Sequence, residues 1–201
     1  MTKRRPKSRS HKRGTLVRSA ARALPQAKPF TERVYRIADR GFADADTLIS
    51  GLGAMHYGGR WNAAGEFPVF YAALDLATAY EEKTYSNRRY AIPPEQWLPA
   101  VIVLVEVKLA RVLDLTLPAT RNQFGITPEA MVAERLASSG KSSHETARHA
   151  IARAARRAGI EALIVPSARN PGGKNLAVFV ENLGKSSSLL IVNPENLPGK
   201  S

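Results

Sequence analysis

Three short polar islands in this sequence stand where a buried core explains them poorly. The first is Tyr35-Arg36, an arginine inside the otherwise apolar run Val34 to Ala38. The second is Gly58-Gly59-Arg60-Trp61-Asn62, which leads to a strand-like run carrying Tyr71 and then to the acidic pair Glu81-Glu82. The third runs from Pro166-Ser167-Ala168-Arg169 to Asn175. Adjacent glycines let a backbone approach a ligand closely, while Arg and Asn bring a charged fork and a paired donor and acceptor suited to phosphate and amide groups. Each island also has a bland reading: an edge-strand arginine with a local acid, a plain turn before a strand, and a β-turn. The plain turn accounts for the glycines and leaves Arg-Trp-Asn unexplained.

Several familiar chemistries lack their residues. The chain has no cysteine, so it has no disulfide framework, thiolate nucleophile or Cys-based metal site. Of its four histidines (His11, His56, His144, His149), the last two are five residues apart, which puts them on divergent helix faces rather than in the i, i+4 arrangement that grips zinc. The run Asn170 to Asn175 resembles a phosphate loop, but Ala168 stands where GxxxxGK needs glycine and Asn175 where it needs Ser or Thr. No GxSxG elbow accompanies any serine.

The elements that must position the islands read as mixed α+β, a single domain of mixed, mainly antiparallel sheet with helices. Strand patterns occupy Val34 to Ala38, Pro68 to Ala73, Val101 to Leu109, Ala162 to Val165, Leu176 to Val180 and Leu189 to Val192. Asp75 is placed to N-cap a helix from Leu76 to about Asn87. Thr127-Pro128 opens another that Gly140 closes. Ser142 with Glu145 forms a capping-box pattern, and Ala147, Ala150, Ile151, Ala154 and Ala158 line one face of a third helix, stopped at Gly159. Its other face, with Arg148, Arg153, Arg156 and Arg157, reads as solvated, with a partner site as the alternative.

At 201 residues, with 44% apolar and 23% charged residues, the chain fits one globular core rather than a disordered or coiled-coil molecule. The net charge of +13 is concentrated at one end. Residues 1–28 hold ten basic residues and no acidic one, whereas residues 29–201 carry 20 basic against 17 acidic. The expected organisation is a basic flexible arm over 1–28 and a folded domain over 29–201. Within the arm, Leu16, Val17, Ala20, Ala21 and Leu24 permit a short amphipathic helix ended by Pro25. No apolar run is long enough to span a bilayer and no apolar signal core follows the basic start, so the expectation is a cytoplasmic protein without a membrane partner.

In order and spacing, Tyr35-Arg36, Gly53-Ala54, Gly59-Arg60-Trp61-Asn62, Tyr71 with its following acidic helix, and Pro166-Ser167-Ala168-Arg169 resemble the RES domain, a family named for an arginine, a glutamate and a serine. The likeness covers about residues 32 to 180. It implies a fold related to ADP-ribosyltransferases and a toxin of the Xre–RES toxin–antitoxin type that consumes NAD. Family members cleave the nicotinamide bond by phosphorolysis or hydrolysis, and some transfer ADP-ribose to a protein.

By this resemblance the catalytic arginine is Arg36 and the serine Ser167. The glutamate is Glu82 by the family spacing from Tyr71, with Glu81 as the alternative. Tyr35, Arg60, Trp61, Asn62, Tyr71, Arg169 and Asn175 are then expected to bind NAD. Arg36 and Arg60 would fork onto the two phosphates, Tyr71 or Trp61 would wall the nicotinamide, and Ser167 and Asn62 would fix carboxamide or ribose hydroxyls. A carboxylate beneath the sugar suits the positive charge that grows there as the bond breaks. NAD is expected as substrate rather than cofactor, with inorganic phosphate as a co-substrate if the bond is cleaved by phosphorolysis, and no metal. The expected partner is an Xre-like antitoxin that covers the active site in a hetero-oligomer. DNA would be met only through that complex, and a protein acceptor enters if ADP-ribose is transferred. Two other functions compete: a basic nucleic-acid-binding protein, for which the arm is the sole support, and an inactive partner-binding module.

Overall fold

The computed structural model describes residues 18–89, 91–133 and 147–198. Six strands form one sheet: β1 (Lys28–Asp39), β2 (Val69–Ala73), β3 (Ala100–Asp114), β4 (Ala162–Pro166), β5 (Lys174–Phe179) and β6 (Ser188–Ile191). All six fall where the sequence places strand patterns. Two of them are much longer than their apolar runs, because β1 and β3 pair antiparallel from Lys28↔Val112 to Asp39↔Ala100. That ladder carries polar residues along with it. Arg33 and Glu106 face each other across it, and their side chains meet at 2.7 Å.

The strand order is β1-β2-β5-β4-β3-β6, and the additional β1–β3 pairing closes the first five strands into a ring. Closure removes the exposed edges that an open sheet would leave. Only β3 and β4 run parallel, so the sheet is mixed and mainly antiparallel, as the pattern implies. The ring has a weak seam, since β1 meets β2 at the single pair Tyr35↔Ala73. Elsewhere β2 is firmly laddered to β5 from Val69↔Phe179 to Ala73↔Asn175.

Two apolar cores flank the sheet. One gathers Trp61, Phe67, Leu113, Leu163 and Phe179. The other gathers Val34, Phe70, Val103, Val105 and Leu176. Phe67 and Phe179 pack edge to face with centroids 5.8 Å apart, a geometry that aromatic quadrupoles favour.

Helices α1 (Ala45–Ser50) and α2 (Leu52–Tyr57) lead into β2, and α3 (Leu76–Arg89) follows it. Asp75 caps α3 as expected, accepting the Thr78 N–H at 2.7 Å. Short helices α4 (Pro94–Trp97), α5 (Pro118–Asn122) and α6 (Pro128–Val132) decorate β3, and α7 (Ala147–Arg157) precedes β4. Gly159 ends α7's connection at a φ of +79°, a conformation L side chains rarely adopt.

Three sequence expectations need correction. The helix opened by Thr127-Pro128 stops at Val132, not Gly140. Its last carbonyls turn to arginines: Arg148 Nη1 donates to Ala130 O and Ala133 O at 2.8 Å, and Arg60 Nη1 to Ala133 O at 3.1 Å. Of the α7 arginines expected on a solvated face, Arg157 alone is exposed. Arg148 is buried in those contacts, Arg153 pairs with Glu66 and Arg156 with Glu181. The arm boundary at 28 is also too late, because residues 18–23 are helical, Ala20 and Ala23 are wholly buried in the core around Trp61, and Lys28 already belongs to β1. Residues 1–17, His144 and the Ser142–Glu145 capping box lie outside the described residues.

Candidate active site

A cleft of about 390 Å³ opens at the β1–β2 seam. Tyr35, Arg36 and Ile37 line it from β1, Tyr71 to Ala73 from β2, and Ala79, Glu82, Lys83 and Tyr85 from α3. The turn after α2 contributes Gly58 to Trp61, and the β4–β5 side contributes Arg169 and Asn175. The three polar islands therefore converge on one opening.

Arg36 spans the seam. Its Nη1 donates to Tyr71 O at 2.9 Å, replacing a ladder bond where the strands have parted, and its guanidinium lies 5.6 Å from the Phe70 ring centroid. Burial lowers its pKa from the ordinary value, which is high enough that the charge persists at neutral pH. Its Nε is buried with no hydrogen-bond partner among the described residues. An unmatched buried donor on a cation is costly to leave without an acceptor.

Glu82 is held through one oxygen. Its Oε1 accepts from Ser167 Oγ and from Asn175 Nδ2, each at 2.7 Å, while its Oε2 has no hydrogen bond among the described residues. Ser167 is in turn fixed by the start of its loop, where its Oγ accepts the N–H groups of Arg169 and Asn170 at 3.0 Å. One donor and two acceptor sites exhaust a hydroxyl. Ser167, 6% exposed, therefore positions Glu82 and has no bond left for the carboxamide or ribose hydroxyl expected of it. Asn175 likewise spends an amide donor on the carboxylate. Glu81 is absent from the cleft wall that Glu82 lines.

The loop that carries Ser167 is pinned to α3. Asn170 Nδ2 donates to Thr78 Oγ1 at 2.8 Å, and Thr78 Oγ1 donates to Asp75 Oδ2 at 2.7 Å. At Gly173 a Cβ would sit 2.2 Å from Thr78 Oγ1, so the close approach requires glycine there. Arg169 lies over the Tyr85 ring, 3.0 Å from its centroid, a cation–π contact on the cleft wall. Lys83 pairs with Asp39 at 2.7 Å, tying α3 to the end of β1.

In the second island, the aromatic and amide groups build the wall more than they face the cleft. The Tyr71 hydroxyl accepts the Trp61 N–H and donates to Asn62 Oδ1, both at 2.9 Å. Burial pushes its phenol well above the ordinary range, so it remains neutral. Asn62 is fully buried, its Nδ2 donating to Ala54 O at 2.6 Å. Trp61 is 1% exposed within the core. Asn62 is thus a correction to the expected ligand contacts, whereas Trp61 borders the cleft with almost none of its surface exposed. At Gly59 a Cβ would lie 2.6 Å from the Tyr71 ring, so the turn closes on that ring only with glycine. His149 Nε2 lies 3.2 Å from Gly59 O and ties α7 to the same turn.

Tyr35, Arg36, Arg60, Tyr71, Glu82, Arg169 and Asn175 thus share one cleft, with Ser167 directly behind the carboxylate. The sequence reading missed Tyr57, Lys83 and Tyr85. Tyr85 had a usable signal, being nearly one helical turn from Glu82. Among the described residues no cluster of His, Asp and Glu is arranged to hold a metal ion. Nor is any helix among them long and apolar enough to cross a membrane.

A closed mixed sheet with a cleft at its seam, lined by an arginine and by a glutamate that a serine braces, defines a class, and the chain belongs to it: the RES domain family matches residues 33–195. Over 99 residues it is 33% identical to the NAD(+) phosphorylase MbcT of Mycobacterium bovis, a stretch covering 48% of this chain and 51% of that protein. The MbcT of Mycobacterium tuberculosis matches with the same identity and coverage. The matching stretch thus spans about half the length of these curated relatives. The fold is similar to the crystal structure of the M. tuberculosis MbcT–MbcA toxin–antitoxin complex, with a TM-score of 0.64 and 24% identity over 92% of this chain and 97% of that one.

Proposed function

We propose that this RES domain cleaves the bond between nicotinamide and ribose in NAD, with inorganic phosphate as the acceptor. The observation that carries the reading is Glu82, a carboxylate fixed through one oxygen with the other left for the cleft, beside a desolvated arginine with a buried unmatched donor. As the C1″–N bond breaks, its electron pair leaves on nicotinamide and positive charge grows on the sugar. Glu82 Oε2 stabilises that charge more than the ground state, which is the condition for catalysis. A phosphate oxygen then bonds to C1″, giving ADP-ribose 1″-phosphate and free nicotinamide.

Arg36, Arg60, Lys83 and Arg169 make the cleft wall strongly cationic, with Glu82 as its opposing carboxylate. That balance suits a dinucleotide diphosphate and a second phosphate better than a neutral substrate. The similarity to NAD(+) phosphorylases favours phosphate over water or a protein side chain as acceptor. We infer in addition that the protein is a toxin with an antitoxin partner, a reading supported by the toxin–antitoxin complex in which its fold neighbour was solved, and that the antitoxin closes this cleft. The competing nucleic-acid reading rests on the basic residues 1–28 and draws nothing from the cleft.

The test is purified protein incubated with NAD, with and without inorganic phosphate, while nicotinamide and the ribosyl product are followed. ADP-ribose 1″-phosphate that requires added phosphate is the expected result. Free ADP-ribose at a phosphate-independent rate would make the protein a hydrolase, and no nicotinamide release at all would overturn the reading.

A further inference from the structure

Tyr57 is the last residue of α2 and lines the cleft, yet it is 87% exposed. Of the aromatic side chains on the cleft wall, it is the one that remains exposed among the described residues. Trp61 is buried in the core, the Tyr71 hydroxyl is spent on its neighbours, Tyr85 carries Arg169 on its ring, and Tyr35 is half-buried. The backbone beneath Tyr57 is fixed. Gly58, at a φ of +74°, donates its N–H to Ala54 O at 2.9 Å, and Gly59 donates to Asn62 O at 2.9 Å. A ring presented to water on an anchored turn at a cleft mouth is placed to stack on a flat ligand group at low entropic cost.

NAD has two flat groups, the nicotinamide at the bond that breaks and the adenine beyond the diphosphate. Tyr85 is three residues from Glu82 on α3, so it shares that helix face with the carboxylate and belongs to the end where the bond breaks. Tyr57 comes from a different element and leads directly, through Gly58-Gly59, to the cationic Arg60. We propose that Tyr57 is the platform on which the adenine base stacks, so that it sets the preference for the dinucleotide over its nicotinamide mononucleotide half. This rests on the NAD reading above. Stacking one base on an aromatic side chain changes affinity by roughly tenfold.

The experiment compares kcat/KM for NAD with that for nicotinamide mononucleotide in wild type, Tyr57→Phe and Tyr57→Ala, and titrates AMP into each protein by calorimetry. Tyr57→Ala is expected to lower the NAD preference about tenfold and to weaken AMP by a similar factor, while Tyr57→Phe keeps both because it keeps the ring. An unchanged preference in Tyr57→Ala, or a loss equally large in Tyr57→Phe, overturns the proposal. A wild-type protein that releases no nicotinamide sinks the NAD reading instead. In that case the AMP titration still decides Tyr57: weaker binding in the alanine variant supports the platform, and equal or absent binding removes it.

Discussion

Ser167 Oγ donates to Glu82 Oε1 at 2.7 Å while its own lone pairs take the N–H groups of Arg169 and Asn170. Ser167 is thus a bracket. It transmits the rigidity of the loop after β4 to a carboxylate on α3. Hydrogen bonds to charged groups are worth about 1.5–3 kcal/mol, so loosening Glu82 should be felt in the transition state. Ser167→Ala is expected to lower kcat for nicotinamide release about tenfold to a hundredfold with KM little changed. Steady-state kinetics check this. A raised KM at full kcat would mean that the hydroxyl serves substrate binding instead.

The neighbouring acids are separated by place rather than by type. Glu82 lines the cleft and is gripped by two side chains, whereas Glu81 does not line it. Glu82→Gln keeps the shape and removes the charge aimed at the sugar, a loss expected to cost about a hundredfold to a thousandfold in kcat. Glu81→Gln is expected to stay within about twofold of wild type. Growth of cells expressing each variant without an antitoxin gives an independent readout: arrest relieved by the first and retained by the second. The opposite pattern would move the catalytic carboxylate to Glu81.

Much of this site could be read from the sequence because its motifs are local. Tyr35-Arg36, the Gly58 to Asn62 turn and the Ser167 loop each announce themselves by polar residues at the edges of apolar runs. Their roles were less legible, because a role depends on which bonds the fold has already used. Asn62 and Trp61 have the residue types of ligand contacts, yet Tyr71, Ala54 and the core absorb them. The closed ring was hidden for a similar reason: strand patterns give positions along the chain, not the β1–β3 pairing that joins residues about seventy apart. The Arg148 and Arg60 contacts that end α6 are also nonlocal, so the helix pattern ran past its true stop.

Tyr71 links the turn to the strand and makes the fold sensitive to alkali. Burial raises its phenol pKa, so above about pH 10 the unfolded chain gives up a proton that the folded protein still holds. Stability is therefore full below that pH and falls as pH rises, by about 1.4 kcal/mol for each further unit until the folded phenol ionises. Tyr71→Phe is expected to lose about 1–3 kcal/mol at neutral pH, since the Trp61 N–H and Asn62 Oδ1 lose their partner. Denaturant unfolding from pH 8 to 11 should show the gap between the two proteins narrowing above pH 10. A constant gap would mean that the phenol titrates normally.

The N-terminal boundary of the folded unit can be located by two truncations. Ala20 and Ala23 are wholly buried and Leu24 packs on the same core, beside Trp61, whose backbone N–H anchors the cleft turn to Tyr71. A chain beginning at Arg18 keeps these groups, and one beginning at Pro29 loses them together with the first residue of β1. At about 0.8 kcal/mol per buried methyl or methylene, the shorter chain is expected to be less stable than the longer by about 3 kcal/mol. For a domain of this size that is roughly 6–12 °C in Tm. It should also lose nicotinamide-releasing activity faster on warming, because the core it opens supports Trp61 and the Gly59 turn. Equal melting temperatures for the two truncations would return residues 18–28 to the arm.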